Sequence, residues 1–374
     1  MEQSDVNSIK EQLMKSCIIN GAIMPLDEIE HMGINEFGIR SKLNMPSKLY
    51  KYYSNIDEKN SDGIIVNYSQ QSLINNTVYL QTPTKFDDIY DSDITLDYNA
   101  YERLRVMEYC MRCGVEVNDE WTNQEAGDVL VKSLWPFYIQ KNLEKAFTVA
   151  PKNELERLSN QEFIMSVLVE CKSSGNFGEA VSRAIANEYQ KYSEYLKEVF
   201  RITCFTTTPY SQLMWGGSYA DQHRGFCVEY TVLPQEKAYQ DIYYNIFPVV
   251  YCKVRPDVTK RIVDAKDKIP TDNLLWDIYF HGVLRKSIDW AYQYEWRLLL
   301  PLEKNKNDYN IEFFPITKVF LGNRMSAQNR KAIIEICKKR GIPYVGVDRN
   351  PRFFEMQDCN GLCEKCEKLT QRST

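Results

Sequence analysis

The hydrophobic period changes twice along this chain, and no other feature of the sequence restricts the fold as much. Between residues 49 and 82 the apolar and aromatic residues fall in short runs, Leu49-Tyr50-Lys51-Tyr52-Tyr53 and Val78-Tyr79-Leu80-Gln81-Thr82. Such runs between turn-forming residues predict strands. From about residue 100 to 200 the spacing is different. Leu104, Met107 and Met111, then Leu130, Leu134 and Phe137, then Val181, Ile185 and Tyr189 recur at steps of three and four, the period of an amphipathic helix. After Arg201 strand-like runs return at 202–206, 226–230, 247–254, 296–300, 319–321 and 344–347. Helices are predicted at 211–221, 274–286 and 327–340, the last closed by Gly341 as a C′ glycine.

This order predicts an α+β fold: a mixed, mainly antiparallel sheet built from both ends of the chain, with an inserted helical subdomain. The expected divisions are an N-terminal helical arm (1–45), a split α+β core (46–100 and 200–350), a helical insertion (101–199) and a Cys-containing tail (351–374). A protein partner, where the chain has one, is expected at the insertion.

Charge narrows the partners. The 374 residues carry 46 Lys+Arg against 51 Asp+Glu, a net charge of -5. That balance argues against nucleic-acid binding by bulk charge. The opening MEQSDVNSIK lacks the basic and apolar regions of a secretory signal, and no apolar run approaches the length of a membrane span. The expectation is a cytoplasmic protein with no membrane partner. In a reducing compartment, 11 cysteines read as metal ligands where they cluster and as small apolar residues where they do not. Cys110 and Cys113 stand at x2 spacing, and so do Cys363 and Cys366, with Cys359 close by. Paired thiolates at that spacing reach one tetrahedral centre, so a structural zinc is one reading and free thiols in a tail the other.

Two stretches are dense in chemistry. The first runs from Cys204 to Tyr230. If 211–223 is one helix, Trp215, Tyr219 and Gln222 share a face, with Asp221 and His223 at its end. His223 is one of three histidines and the one inside a polar and aromatic motif. The bland alternative makes Trp215 and Tyr219 core and His223 a helix C-cap. The second stretch runs from Leu284 to Arg297. Alternation puts Gln293, Glu295 and Arg297 on one strand face, with Tyr294 and Trp296 on the other. That face is either ion-paired surface or a site. Four aspartates at 87, 88, 91 and 93 make either a polar loop or oxygen ligands for a hard cation.

Taken together these segments resemble a known family. Leu49-Tyr50-Lys51-Tyr52 resembles its opening strand, and Thr82-Pro83-Thr84-Lys85-Phe86-Asp87-Asp88-Ile89-Tyr90-Asp91 resembles its FNDPFD loop, departing at Asp87 and Ile89. Leu213-Met214-Trp215 through Tyr219-Ala220-Asp221-Gln222-His223-Arg224-Gly225 resembles its LMWxxYAxxHxG signature. Lys286-Ser287, Trp290 and Glu295-Trp296-Arg297 complete the order. The chain thus resembles the domain of unknown function 2971 family of bacterial proteins over about residues 48–100 and 200–350, a family that implies no settled activity.

A second, partial resemblance is to ADP-ribosyltransferases. They carry a basic or His residue on a first strand, Ser or Thr on a second, and Glu with Glu or Gln two residues earlier. Lys51, Thr82 and Gln293-Tyr294-Glu295 match that order, with Lys in place of Arg or His and no Ser-Thr-Ser run. The resemblance implies NAD as substrate, Glu295, Gln293 and Lys51 as catalytic groups, and a role in phage defence or toxin biology; His223, from its own polar and aromatic motif, is a further catalytic candidate. Tyr50, Tyr52, Thr82, Trp215 and Tyr219 would bind the ligand, together with Asp221, Lys286, Trp290 and Arg297. Two other functions stay open. One is a metal-assisted nuclease or hydrolase using His223, Asp221 and Glu295. The other is a module that binds a small molecule or nucleotide without turnover.

Overall fold

The computed structural model describes residues 10–95, 97–112, 115–116, 118, 120–139, 177–198, 200–259, 280–301 and 309–359. The chain forms two compact units. One comprises Met1–Asp93, Glu198–Arg255 and Phe280–Thr374; the other comprises Ile94–Lys197 and Pro256–Tyr279.

The first unit holds the strands. In chain order they begin β1 (Ser16–Ile19), β2 (Ala22–Pro25), β3 (Lys48–Tyr53), β4 (Glu58–Lys59), β5 (Ile65–Val66) and β6 (Thr77–Leu80). After the insertion come β7 (Phe200–Thr206), β8 (Phe226–Thr231), β9 (Ile246–Pro248), β10 (Val250–Cys252) and β11 (Arg285–Ser287). The series ends with β12 (Glu295–Pro301), β13 (Tyr309–Glu312), β14 (Ile316–Leu321), β15 (Tyr344–Arg349) and β16 (Met356–Asp358).

The main sheet has the order β16-β15-β14-β8-β3-β7-β12-β9. Its pairs are antiparallel apart from β14 beside β15. Parallel neighbours need a crossover, and the helix Ala327–Arg340 supplies it. Ser326 caps its start by accepting from the Asn329 N–H, and Gly341 ends it at φ 66°. This is the α+β fold with a mainly antiparallel sheet that the period changes predict.

Alternation along the strands buries both faces of the sheet. Phe205, Val228, Tyr230, Trp296 and Leu298 pack on one side with Phe313, Ile333 and Cys337. Cys227, Phe320 and Val347 pack on the other with Trp215 and Met356. Each large apolar side chain removed from water contributes roughly 1.5–3 kcal/mol.

Two expectations are corrected. The 1–45 segment is not simply a helical arm, because β1 and β2 form a hairpin whose Asn20-Gly21 turn is left-handed at both residues (φ 51° and 81°). Asn-Gly is the preferred pair for such a turn. β1 joins β10 in a second sheet of order β11-β10-β1-β2 and buries Cys17. The helix predicted at 274–286 also stops early. Residues 280–283 are helical, and Arg285–Ser287 is instead a strand parallel to β10.

The second unit is mainly helical where described, with one β-bridge between Thr95 and Asp257. Tyr98–Arg112, Asn123–Ile139 and most of Phe177–Glu198 belong to it. Ala180, Val181, Ala184 and Ile185 are buried at three- and four-residue steps. Thr122 and Glu125 exchange side-chain to backbone hydrogen bonds at the start of the second helix, a capping box. Among the described residues no helix is long and apolar enough to cross a membrane.

Candidate functional site

The main sheet forks. β3 pairs with β8 along its whole length, from Lys48↔Thr231 to Tyr53↔Phe226. With β7 it pairs at Tyr50↔Thr206 alone. Beyond that pair Lys51–Tyr53 and Ile202–Phe205 diverge, and both stretches line a cavity of about 1090 Å³. That is at the large end of ligand pockets, roughly 300–1,000 Å³. Lys51 reaches across the fork. Its ammonium donates to the Thr203 hydroxyl (2.9 Å) and the Cys204 carbonyl (3.1 Å), so a side chain bridges the strands where their ladder stops.

β12 opens at the cavity with Glu295. The Glu295 backbone N–H donates to the Tyr251 hydroxyl at 2.8 Å. Its carboxylate accepts from Arg297 Nε at 2.7 Å and Lys286 Nζ at 3.1 Å. Asp91 completes the set. It takes both terminal nitrogens of Arg297 at 2.7 Å and lies 3.1 Å from Lys286 Nζ. Two buried carboxylates and two buried cations therefore balance, as buried charges must.

Burial alone would raise the Glu295 carboxyl. Arg297 and Lys286, with hydrogen bonds from Arg297 and the Cys204 thiol, outweigh it and hold the group well below the usual carboxylate range. Burial would lower Lys286, but Glu295 and Asp91 hold it above the ordinary lysine value. Glu295 is thus a permanent carboxylate near neutral pH, suited to accepting hydrogen bonds and stabilising positive charge rather than to shuttling protons.

Lys286 also donates to Gln293 Oε1 at 3.0 Å, and Gln293 Nε2 donates to the Tyr219 hydroxyl at 2.7 Å. An ammonium has three protons, and those of Lys286 are matched by Asp91, Gln293 and Glu295. Its Nζ lies 5.1 Å from the Trp290 ring centroid. Lys51 is a different kind of cation. It has two hydrogen bonds, both to neutral groups, and no ion pair among the described residues. Burial depresses its pKa, opposed by the charges of Cys204 and Glu295.

The cavity therefore gathers Lys51, Gln293 and Glu295 with Tyr50, Tyr52, Tyr219, Lys286 and Trp290 along its walls. Compared with protein-family models, curated proteins and solved structures, the chain matches none.

Several proposed site residues lie elsewhere. Trp215 is fully buried, and its indole N–H donates to the Pro209 carbonyl at 2.7 Å. The cause is local. The predicted helix at 211–221 breaks at Gly217 into a short α-helix, Gln212–Gly216, and a 3-10 turn, Ser218–Ala220. Trp215 and Tyr219 then no longer share a face. Asp221, Gln222 and His223 follow in left-handed conformation (φ 45°, 52° and 70°), outside the cavity lining. Asp221 is bound to Arg224, and the His223 ring stacks on Trp215. The His223 carbonyl packs against Gly322, where a Cβ would meet it at 2.1 Å; a Cβ on Gly225 would meet the Tyr53 carbonyl at 2.0 Å. The motif is a tight corner holding the sheet. The hydrolase set of His223, Asp221 and Glu295 is not gathered on the cavity.

Thr82 caps the turn Pro83–Lys85 rather than lining the cavity, and the threonines that do line it are Thr77, Thr203 and Thr206. Arg297 is wholly buried beneath the site, its guanidinium matched by Asp91, Glu295 and the Val283 carbonyl. It supports the wall and does not face a ligand. Asp91 and Asp93 are engaged by Arg297 and Arg255, so the aspartate loop is not an oxygen cage. Cys110 is buried in the helical unit and its thiol approaches the Ala126 carbonyl. Cys359 is half-buried after β16, and Cys113, Cys363 and Cys366 lie outside the described residues. Among the described residues no cluster of His, Cys, Asp and Glu is arranged for a metal.

Sequence reasoning missed Asp91 as the partner of Arg297, and it missed Cys204, Thr203 and Tyr251. The signal for Asp91 was present: a lone buried arginine on a strand demands a carboxylate, and the aspartate loop is the nearest supply on the opening half of the fold.

Proposed function

We propose that this chain uses NAD, as an ADP-ribosyltransferase or NAD glycohydrolase, with the reaction centred on Glu295 at the fork of the sheet. The observation that carries the reading is the presence of Lys51, Gln293 and Glu295 on one cavity. In such a reaction the bond between nicotinamide and ribose C1 breaks, and its electron pair leaves with the nicotinamide. The sugar becomes oxocarbenium-like, and an ionised carboxylate beside it stabilises the charge. Water or an acceptor hydroxyl then attacks C1 and gives up a proton to solvent. Gln293 orients the attacking group or the ribose, and Trp290 offers a face for the leaving ring. Kinship to the domain of unknown function 2971 family belongs to the same proposal. Its support is that Tyr50–Tyr52, Lys85–Asp88, Asp91 and Lys286, all in the resembling segments, border the cavity.

The test is nicotinamide release from NAD by the purified full chain. Glu295→Gln preserves size but removes the charge and replaces one accepting oxygen with a donor. In variant protein shown by its melting curve to be folded, turnover is expected to fall by about 100-fold or more, the scale of losing a stabilising group at the reacting centre. Absence of NAD consumption by the unaltered protein rejects the reading. A second reading, a sensor that binds without turnover, rests on one observation: Glu295 is already matched by Lys286 and Arg297, as a purely structural carboxylate would be. Under it NAD or another nucleotide raises the melting temperature and yields no product. A structural zinc on Cys110, Cys113, Cys359, Cys363 and Cys366 is a separate proposal resting on their spacing, tested by metal analysis of the purified protein.

A further inference from the structure

The cavity is bordered by two chemically different sets of residues. One set is charged and includes Lys51, Asp91, Lys286 and Glu295, from β3, the aspartate loop, β11 and β12, with Lys85, Asp87 and Asp88 from the segment after β6. The other comes from the helix Tyr68–Asn75, β6 and the residue after it, and β13. It supplies the side-chain amides of Gln71, Asn75, Gln81 and Asn310, with the rings of Tyr68 and Tyr79. Glu58, from β4, is a further carboxylate on the same cavity.

These amides are uncommitted. Among the described residues, none of the four side chains hydrogen-bonds to protein, whereas Asn55, Asn67 and Gln70 nearby bond to one another. An amide carries a donor pair and an acceptor side by side. That pattern matches the edge of a base such as adenine, which Asn and Gln recognise with two parallel hydrogen bonds. Aromatic side chains give every base a stacking face. A carboxylate accepts from an exocyclic amino group, the position Glu58 can fill.

We propose that the amide-lined side of the cavity is a nucleobase subsite. Gln71, Asn75, Gln81 and Asn310 read the base edge, Tyr68 or Tyr79 covers its face, and Glu58 selects for an exocyclic amine. The ligand is then a nucleotide whose base lies on the amide side and whose anionic part lies toward Lys51, the cation with a proton to spare. The proposal deepens the NAD reading and relies on it for the identity of the nucleotide, but the base subsite can be tested without any turnover.

The experiment is calorimetric titration of the full chain with AMP, IMP and ribose 5-phosphate, repeated on Asn75→Ala combined with Asn310→Ala. Both side chains are exposed, so the variant is expected to fold, which its circular dichroism checks. The expected result is that AMP binds about tenfold or more tighter than ribose 5-phosphate and tighter than IMP. The double variant loses most of the AMP advantage and keeps its affinity for ribose 5-phosphate. Equal binding of AMP and ribose 5-phosphate, no binding of AMP, or an unchanged AMP affinity in the variant overturns the subsite. The two ideas separate cleanly. If AMP selectivity is present and lost in the variant while NAD is never consumed, the subsite stands and the transferase reading falls. If nicotinamide is released from NAD with no AMP selectivity, the transferase stands and the subsite falls.

Discussion

The two densest motifs of the chain have opposite fates. Trp215–Gly225 and Lys286–Arg297 both mix aromatic, charged and amide side chains. The first became a corner: its indole is core, its histidine is stacked on that indole, and three successive left-handed residues turn the chain back into β8. From this motif Ser218 and Tyr219 reach the cavity, beside Met214 just before it. The second became a wall, with Lys286, Trp290, Gln293 and Glu295 on the cavity and Arg297 anchoring them from below. The same residue types build an anchor or a site according to whether their charges pair at the surface or in the interior. Asp221 meets Arg224 at the surface, whereas Glu295 meets Arg297 and Lys286 as buried side chains in the cavity wall.

The comparison is broken most severely at Arg297. Arg297→Met leaves Asp91 and Glu295 short of a buried counter-charge, and a loss of about 3–5 kcal/mol is expected, read as a lower urea midpoint. A midpoint within experimental error of the unaltered protein would show that the quartet does not hold the wall. Trp215→Ala comes next, at about 3–5 kcal/mol as a large core truncation. It should destabilise the fold without changing ligand affinity in protein that remains folded. A selective loss of affinity would return Trp215 to the site. Gly225→Ala pushes a methyl onto the Tyr53 carbonyl, and about 1–3 kcal/mol of overpacking cost is expected. His223→Asn is milder, because Asn tolerates the left-handed backbone. Melting should shift little, and nicotinamide release should be unchanged. A large fall in turnover at intact stability would make His223 catalytic after all.

A separate effect is a pH slope away from both motifs. Lys42 donates to the Ile246 carbonyl and faces the rings of Tyr243 and Phe247. Burial pulls its ammonium down to about 7, against about 10.4 in an unfolded chain. Between those values the unfolded chain binds the proton and the folded chain does not, so stability from this group rises with pH. The contribution is complete above about 10.4 and lost as pH falls through about 7. Melting temperature against pH should therefore climb more steeply for the unaltered protein than for Lys42→Met, and parallel curves would remove Lys42 from the account.

Much of the fold was legible. The helix at Ala327–Arg340 carried its serine cap and terminal glycine in plain view, and the runs that became β3, β7, β8 and β12 kept their strand character because both sheet faces are buried. The Asn20-Gly21 turn is equally plain in the sequence, since Asn-Gly is the preferred pair for a two-residue hairpin turn, although the segment as a whole reads as a helical arm. Within the candidate site, Gln293 and Glu295 were legible as one face of a strand. Asp91 was not, because its partner is 206 residues away.

By itself the sequence determined the periods, the caps and the charge balance: an α+β chain with a helical interruption, and a strand beginning Glu-Trp-Arg with polar groups on one face. Those features depend on neighbours within a few residues, which backbone geometry and side-chain spacing control. Only the tertiary structure decided that β3 leaves β7 after one pair, that Lys51 spans the gap, and that Asp91 neutralises Arg297. Those outcomes depend on which strands lie side by side. They depend also on the cost of leaving a charge unmatched in the interior, which no local pattern records.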